Sequence, residues 1–138
     1  MSSFSVFDIA GSGMSAQSVR LNTVASNLAN AESVSSDPAT AYKARHPVFQ
    51  ATLDASGTGG EGASVAVRGI VESQAPAAKR YDPASPLADS NGYVYAPNVN
   101  TVEEMVDMIS ASRSYQNNVE VMNTARNLLL ATLKLGQG

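Results

Sequence analysis

FDIAGSGMSAQSVRLNTVASNLANA, residues 7–31, is the stretch on which the fold of this chain turns. Apolar residues recur in it at a spacing of seven: Phe7, Met14, Leu21 and Leu28. Ala10, Val24 and Ala31 follow three positions later in each heptad, with Gln17 the one exception. The opposite end carries a matching rhythm in steps of three and four, through Met105, Met108, Ser112, Tyr115, Val119, Met122, Arg126, Leu129 and Leu133. Each rhythm lays one narrow apolar stripe along a helix, which is the geometry of a coiled-coil seam. Seams at opposite termini can pair with each other or with neighbouring subunits. Two ordinary bundle helices have the same periodicity.

The two helices differ in intrinsic strength. Ser5 with Asp8 three residues on forms a weak capping box, placing the start of the first helix near the N-terminus. Gly11, Gly13, Asn22, Thr23, Asn27 and Asn30 lie inside it, and each glycine costs roughly 1 kcal/mol relative to alanine. Such a helix is expected to fray alone and to order when its stripe is buried. The second helix is better marked. Asn100 or Thr101 caps it, Glu103, Glu104 and Asp107 suit the positive end of its dipole, Lys134 suits the other, and Gly136 ends it.

Between them, from Ser33 to Asn100, lie all six prolines and six of the ten glycines, a texture that excludes a long helix. Phe49, Ala51 and Leu53 alternate with Val48, Gln50 and Thr52; Val65, Val67 and Val71 oppose Arg68 and Glu72. These read as two strands of a β-hairpin whose flexible tip is the Gly-rich link from Ala55 to Gly62. Pro76 to Pro86 is expected to be extended, without helix or central strand. Asn91-Gly92 signals a type I′ turn leading into a short strand, Tyr93-Val94-Tyr95. The fold class is therefore mainly α with a small β insert, the N- and C-terminal helices pairing as a coiled coil around a middle hairpin and extended region. Three parts follow: residues 1–32, the N-terminal helix; 33–99, the middle region; and 100–138, the C-terminal helix.

With 138 residues the chain is one domain's worth. Only 15% of its residues are charged, against roughly 25% in typical domains. Alanine, serine and asparagine replace them and make a surface suited to being covered by other subunits. A net charge of -3 argues against nucleic acid as a partner, since that needs a basic stripe. With no cysteine, neither disulfides nor thiolate-bound metal hold the fold. Ala29-Asn30-Ala31 imitates a signal-peptidase site, but Asp8 precedes the first basic residue, Arg20, and no apolar run is unbroken. The reading is of a protein neither Sec-exported nor membrane-embedded, for no stretch reaches the roughly 20 apolar residues of a span.

Nothing in the sequence assembles catalytic, cofactor-binding or metal-ligating chemistry. His46, the single histidine, sits in Tyr42-Lys43-Ala44-Arg45-His46-Pro47 without a nucleophile motif, and reads as structural or solvent-facing. Lys79-Arg80 beside Tyr81 carries too little charge for nucleic acid or lipid, and Asp82 follows, so a local salt bridge or subunit contact is expected. Gly57 to Gly62 has neither the Lys-Ser/Thr pair nor the following helix of a phosphate loop. Met105, Met108 and Met122 read as seam packing. Asn22, Ser26, Asn27 and Asn30 place polar groups along the first helix, either buried to fix register or lining an exposed face.

The block Ser26-Asn27-Leu28-Ala29-Asn30-Ala31 resembles the N-terminal signature of the flagellar rod, hook and hook-associated axial proteins. The opening Phe4 to Gln17, Tyr42 to Phe49, Gly92-Tyr93-Val94 with Pro97 to Asn100, and Met108 to Gln116 resemble the proximal rod members of that family in particular. Only Ala55 to Ser64 matches nothing in it. The resemblance implies a non-enzymatic subunit of the bacterial basal body, passed through the flagellar type III export apparatus and assembled in the periplasm into the torque-bearing rod. Its implied partners are other proximal and distal rod proteins, the basal adaptor, the inner-membrane ring and the export apparatus. The implied family signature is Ser26, Asn27, Leu28, Ala29 and Asn30. The assembly seam expected from the periodicity is Phe7, Met14, Leu21, Val24, Leu28, Met105, Met108, Tyr115, Val119, Met122, Leu129 and Leu133. A coiled-coil adaptor or a virulence-secretion inner-rod or needle component is the rival reading, and a small hydrolase using His46 a more remote one.

Overall fold

A computed structural model describes residues 3–53 and 62–136 of the chain. Helix α1 spans Ser3–Asn30 and helix α2 spans Thr101–Gly136, giving rods of about 42 and 54 Å at 1.5 Å per residue. α1 already runs at Ser3, so Ser5 lies within the helix rather than ahead of it. Asn100 does cap α2: its Oδ1 accepts from the N–H groups of Val102 (3.1 Å) and Glu103 (3.4 Å), and its carbonyl accepts from Glu104 N–H (3.0 Å).

Four strands lie between the helices. β1 (Arg45–Leu53) and β2 (Ala63–Glu72) pair antiparallel from Arg45↔Glu72 to Leu53↔Ala63, with a bulge between Val48 and Phe49. The extra residue is Arg68 of β2, since Val48 pairs with Gly69 and Phe49 with Val67, so the alternation it interrupts is that of the second strand, between Val67 and Val71. The Gly-rich tip lies outside the described residues apart from Gly62. This hairpin packs on α1 alone; no Cα of β1 or β2 comes within 8 Å of α2. Ser12 Oγ ties the two together by accepting from Val65 N–H at 3.1 Å.

β3 (Ala78–Tyr81) and β4 (Tyr93–Ala96) form a second two-stranded antiparallel sheet. β3 falls inside the segment expected to be extended without helix or central strand. It fits between Pro76 and Pro83, and as an edge strand it needs no donor from either. The β3–β4 connection closes on Asp89, whose Oδ1 accepts from Asn91 N–H (2.8 Å) and Tyr93 N–H (2.9 Å). The Tyr93 bond above all holds the Asp89 carboxyl below the usual carboxylate range. Gly92 has positive φ, +78°, the only positive φ among the described residues, and Asn91 does not, so the turn is not type I′. It closes from Asp89 O to Gly92 N–H at 2.9 Å, one residue earlier than a two-residue Asn-Gly hairpin would. Val94 of β4 is wholly buried, and Ser35 bridges to Tyr95 on its other side.

Candidate functional site

The face on which the helices meet is set one residue away from half of the apolar stripe. Asn27 lies against Glu104, Arg20 pairs with Asp107, and a Cβ on Gly13 would stand 2.8 Å from Asn118 Nδ2. Rising numbers on α1 meet falling numbers on α2, so the pair is antiparallel. Stepping by seven, the contact row on α1 is Val6, Gly13, Arg20 and Asn27, and that on α2 is Glu104, Ala111, Asn118 and Ala125. Ala111 is fully buried, and Val6 and Ala125 line one groove. A hydrophobic pattern misses this row because its members are small or polar.

Asn27 is the centre of the closed end. It is 0% exposed and uses every hydrogen-bonding position an amide has. Its Nδ2 donates to Arg45 O (2.8 Å) and to Glu104 Oε1 (2.9 Å); its Oδ1 accepts from Arg45 N–H (2.9 Å) and Tyr42 Oη–H (2.9 Å). One side chain thereby joins α1, α2 and the chain entering β1. Asn98 does similar work beside it, accepting from Ala44 N–H and donating to Ala75 O, each at 2.7 Å.

Much of the α2 surface outside the contact with α1 is apolar and bare. Val102, Met105, Val106 and Ile109 are exposed near its start, and Val121, Leu128, Leu130, Leu133 and Leu135 toward its end. An apolar row of this extent on a helix with a polar inner face marks a surface that another chain covers. No described helix is long and apolar enough to cross a membrane, so lipid spanning does not account for it.

Of the expected seam residues, Val24 is buried; Phe7, Met14, Leu21, Leu28, Met108, Val119, Met122 and Leu129 are half-buried; Met105, Tyr115 and Leu133 are exposed. In the signature, Ser26 Oγ meets Tyr42 Oη at 3.2 Å, Asn30 Nδ2 turns back to Ser26 O, Leu28 is half-buried and Ala29 exposed. Asn22 points to solvent. The sequence names Gly13 only as a helix-weakening glycine and Glu104 only as an acid in the first turn of α2, and it gives Tyr42, Asn98 and Asn118 no role in the helix contact, although the row of residues seven apart from Asn27 leads to Gly13. His46 is exposed on β1, and among the described residues no group of three or more His, Cys, Asp or Glu stands ready for a metal ion. Arg80 reaches Asp82 at 4.0 Å, while Lys79 Nζ sits 4.0 Å from the Tyr93 ring centre.

Residues 7–34 match the family described as flagella basal body rod protein, and residues 90–135 match the flagellar basal body rod FlgEFG protein C-terminal family. The chain is 53% identical to flagellar basal-body rod protein FlgC of Salmonella typhimurium, over 99% of this chain and 100% of that one. This chain belongs to the FlgC family of flagellar basal-body rod proteins. The FlgC proteins of Yersinia enterocolitica (52% identical) and of Buchnera aphidicola subsp. Baizongia pistaciae (36%) also align over 99% of it and their whole length. The family is structural rather than enzymatic, which sets aside a hydrolase built on His46. Full-length agreement with rod proteins likewise disfavours an unrelated adaptor or a virulence needle subunit. The two family matches fall on α1 and on β4 with α2, the parts that build the helix pair and its outer face.

Proposed function

We propose that this chain is a subunit of the proximal rod, which polymerises with other axial proteins into the shaft that carries torque from the inner-membrane ring toward the hook. The observation that carries this reading is the exposed apolar surface of α2, from Val102 to Ile109 near its start and from Val121 to Leu135 toward its end, on a helix whose contact with α1 uses small and polar residues. Residues 1–32 and 100–138 act as the coiled-coil core, and 33–99 adds outer contacts that stiffen it. Phe7, Met14, Leu21, Leu28 and Leu129 reinforce the seam within the chain, and Met105, Tyr115 and Leu133 meet neighbouring subunits. Those neighbours are other proximal and distal rod proteins, with the basal adaptor and inner-membrane ring at one end. The subunit crosses the export apparatus unfolded and reaches the periplasm, where burial of the seams offsets the cost of ordering.

Leu133 is 62% exposed, so an aspartate there costs the isolated chain little, yet it places an uncompensated charge in any contact that covers it. A strain lacking the gene and supplied with Leu133→Asp is expected to export the subunit, form no complete rod and fail to swim. Swimming at the wild-type rate with matched subunit levels would exclude this face from assembly.

A further inference from the structure

One carboxyl group is shut between the helices without enough donors to hold a charge. Glu104 is 4% exposed. Its Oε1 accepts the Asn27 Nδ2 bond, while its Oε2 is buried with no partner. Asn27 has nothing more to offer, because its second N–H goes to Arg45 O and its oxygen is taken by Tyr42 and Arg45 N–H. An ionised carboxylate ordinarily draws several donors, and one left buried and short of them is costly. We propose that Glu104 is a proton-operated clasp, holding α1 against α2 more tightly when its carboxyl carries a proton than when it is ionised.

The charged groups around it come from three elements. On α2, Glu103 and Asp107 disfavour a second negative charge, and on β1 His46 favours it. From α1, Arg20 is engaged with Asp107, and the Arg45 guanidinium of β1 is turned to Glu72 at 3.3 Å. Burial is the largest influence and raises the Glu104 pKa above the ordinary glutamate value of 4.5. A group raised in the folded state adds stability that is complete below its unfolded value and is lost as pH rises through the folded one. The stability the clasp adds is therefore complete below pH 4.5 and is lost as pH rises through the higher folded-state value. That consequence suits a subunit threaded through a narrow channel, a link that rests on the function proposed above; the clasp itself does not.

The test uses the full-length purified chain and its Glu104→Gln variant, melted at pH 5 and pH 8 and followed by circular dichroism. Glutamine keeps the acceptor for Asn27 and cannot ionise. The wild type is expected to lose roughly 3 °C or more in Tm from pH 5 to pH 8, and the variant to melt higher than wild type at pH 8 with most of that loss abolished. A variant less stable than wild type at pH 8, an unchanged pH response, or a wild type with no cooperative transition at either pH overturns the proposal. Carbon-13 NMR of the Glu104 carboxyl in the wild type is the arm that needs no variant. A midpoint above the usual glutamate value supports the clasp, and one at or below it refutes it. Neither measurement depends on rod assembly, so a failed clasp and a failed rod assignment are told apart.

Discussion

At the Asn27 end of the helix pair the polar groups of α1, α2 and the chain entering β1 are tied to one another, and Glu104 Oε2 is the one left over. At the Val6 end, α2 continues past the start of the described part of α1, with Leu128, Leu130, Leu133 and Leu135 between 46% and 84% exposed. The first end is closed within the chain; the second leaves its apolar side chains exposed. Hydrogen bonds, being directional, fix one geometry at the closed end. Apolar area, which accepts many geometries, is what the open end presents to its neighbours. That division suits the assembly proposed above, with one end set by the chain itself and the other left to the contacts of the rod.

The largest effect should come from Asn27→Ala. It removes the partner of the Arg45 N–H and C=O and of Glu104, while the Tyr42 hydroxyl keeps Ser26, at about 1–3 kcal/mol for each group left buried without a partner. Urea denaturation is expected to show a loss of about 3 kcal/mol or more, against a change within about 0.5 kcal/mol for the exposed Leu133→Asp. The reverse ranking would break the comparison between the ends.

Two glycines in α1 sharpen it. A Cβ on Gly13 meets Asn118 at 2.8 Å, whereas one on Gly11 meets nothing within 4 Å. Gly11→Ala is therefore expected to gain about 0.5–1 kcal/mol from helix propensity. Gly13→Ala is expected to gain little or nothing, because the Asn118 side chain must turn aside and offset the propensity gain. Equal stabilisation by both in chemical melts would mean that the helices do not approach closely at Gly13.

The helices and the first hairpin were legible because their periods of 3.6 and 2 repeat over many residues and their caps are local. The phase of the helix contact was not. Hydrophobic patterning points to Phe7, Met14, Leu21 and Leu28, while the contact row also uses Gly13, Arg20 and Asn27, one position earlier. Glycine reports closeness rather than apolarity, and Arg20 and Asn27 are admitted only because Asp107 and Glu104 face them. Those partners lie 87 and 77 residues away, a separation at which sequence pattern carries no signal. β3 was missed for a related reason: its identity as a strand depends on β4, not on its own four residues.

The smallest effects separate two neighbours in the β3–β4 connection. This connection feeds β4, and beyond it Asn98 and Asn100, into the closed end of the helix pair. At Gly92 the backbone is left-handed, at φ +78°, and a Cβ would lie 2.9 Å from Tyr81 Cε2 and 3.2 Å from Pro83 Cβ. Gly92→Ala should cost about 1 kcal/mol from the left-handed conformation, before any shift of Tyr81. Asn91 contributes its backbone N–H to Asp89 and has ordinary φ, so Asn91→Ala should change stability by no more than a few tenths of a kcal/mol. Thermal melts of the two single variants distinguish this turn from a type I′ hairpin, in which both positions would need positive φ and both alanines would be harmful. Equal damage at the two positions would restore the type I′ turn, and with it a connection that closes at Asn91-Gly92 rather than on Asp89.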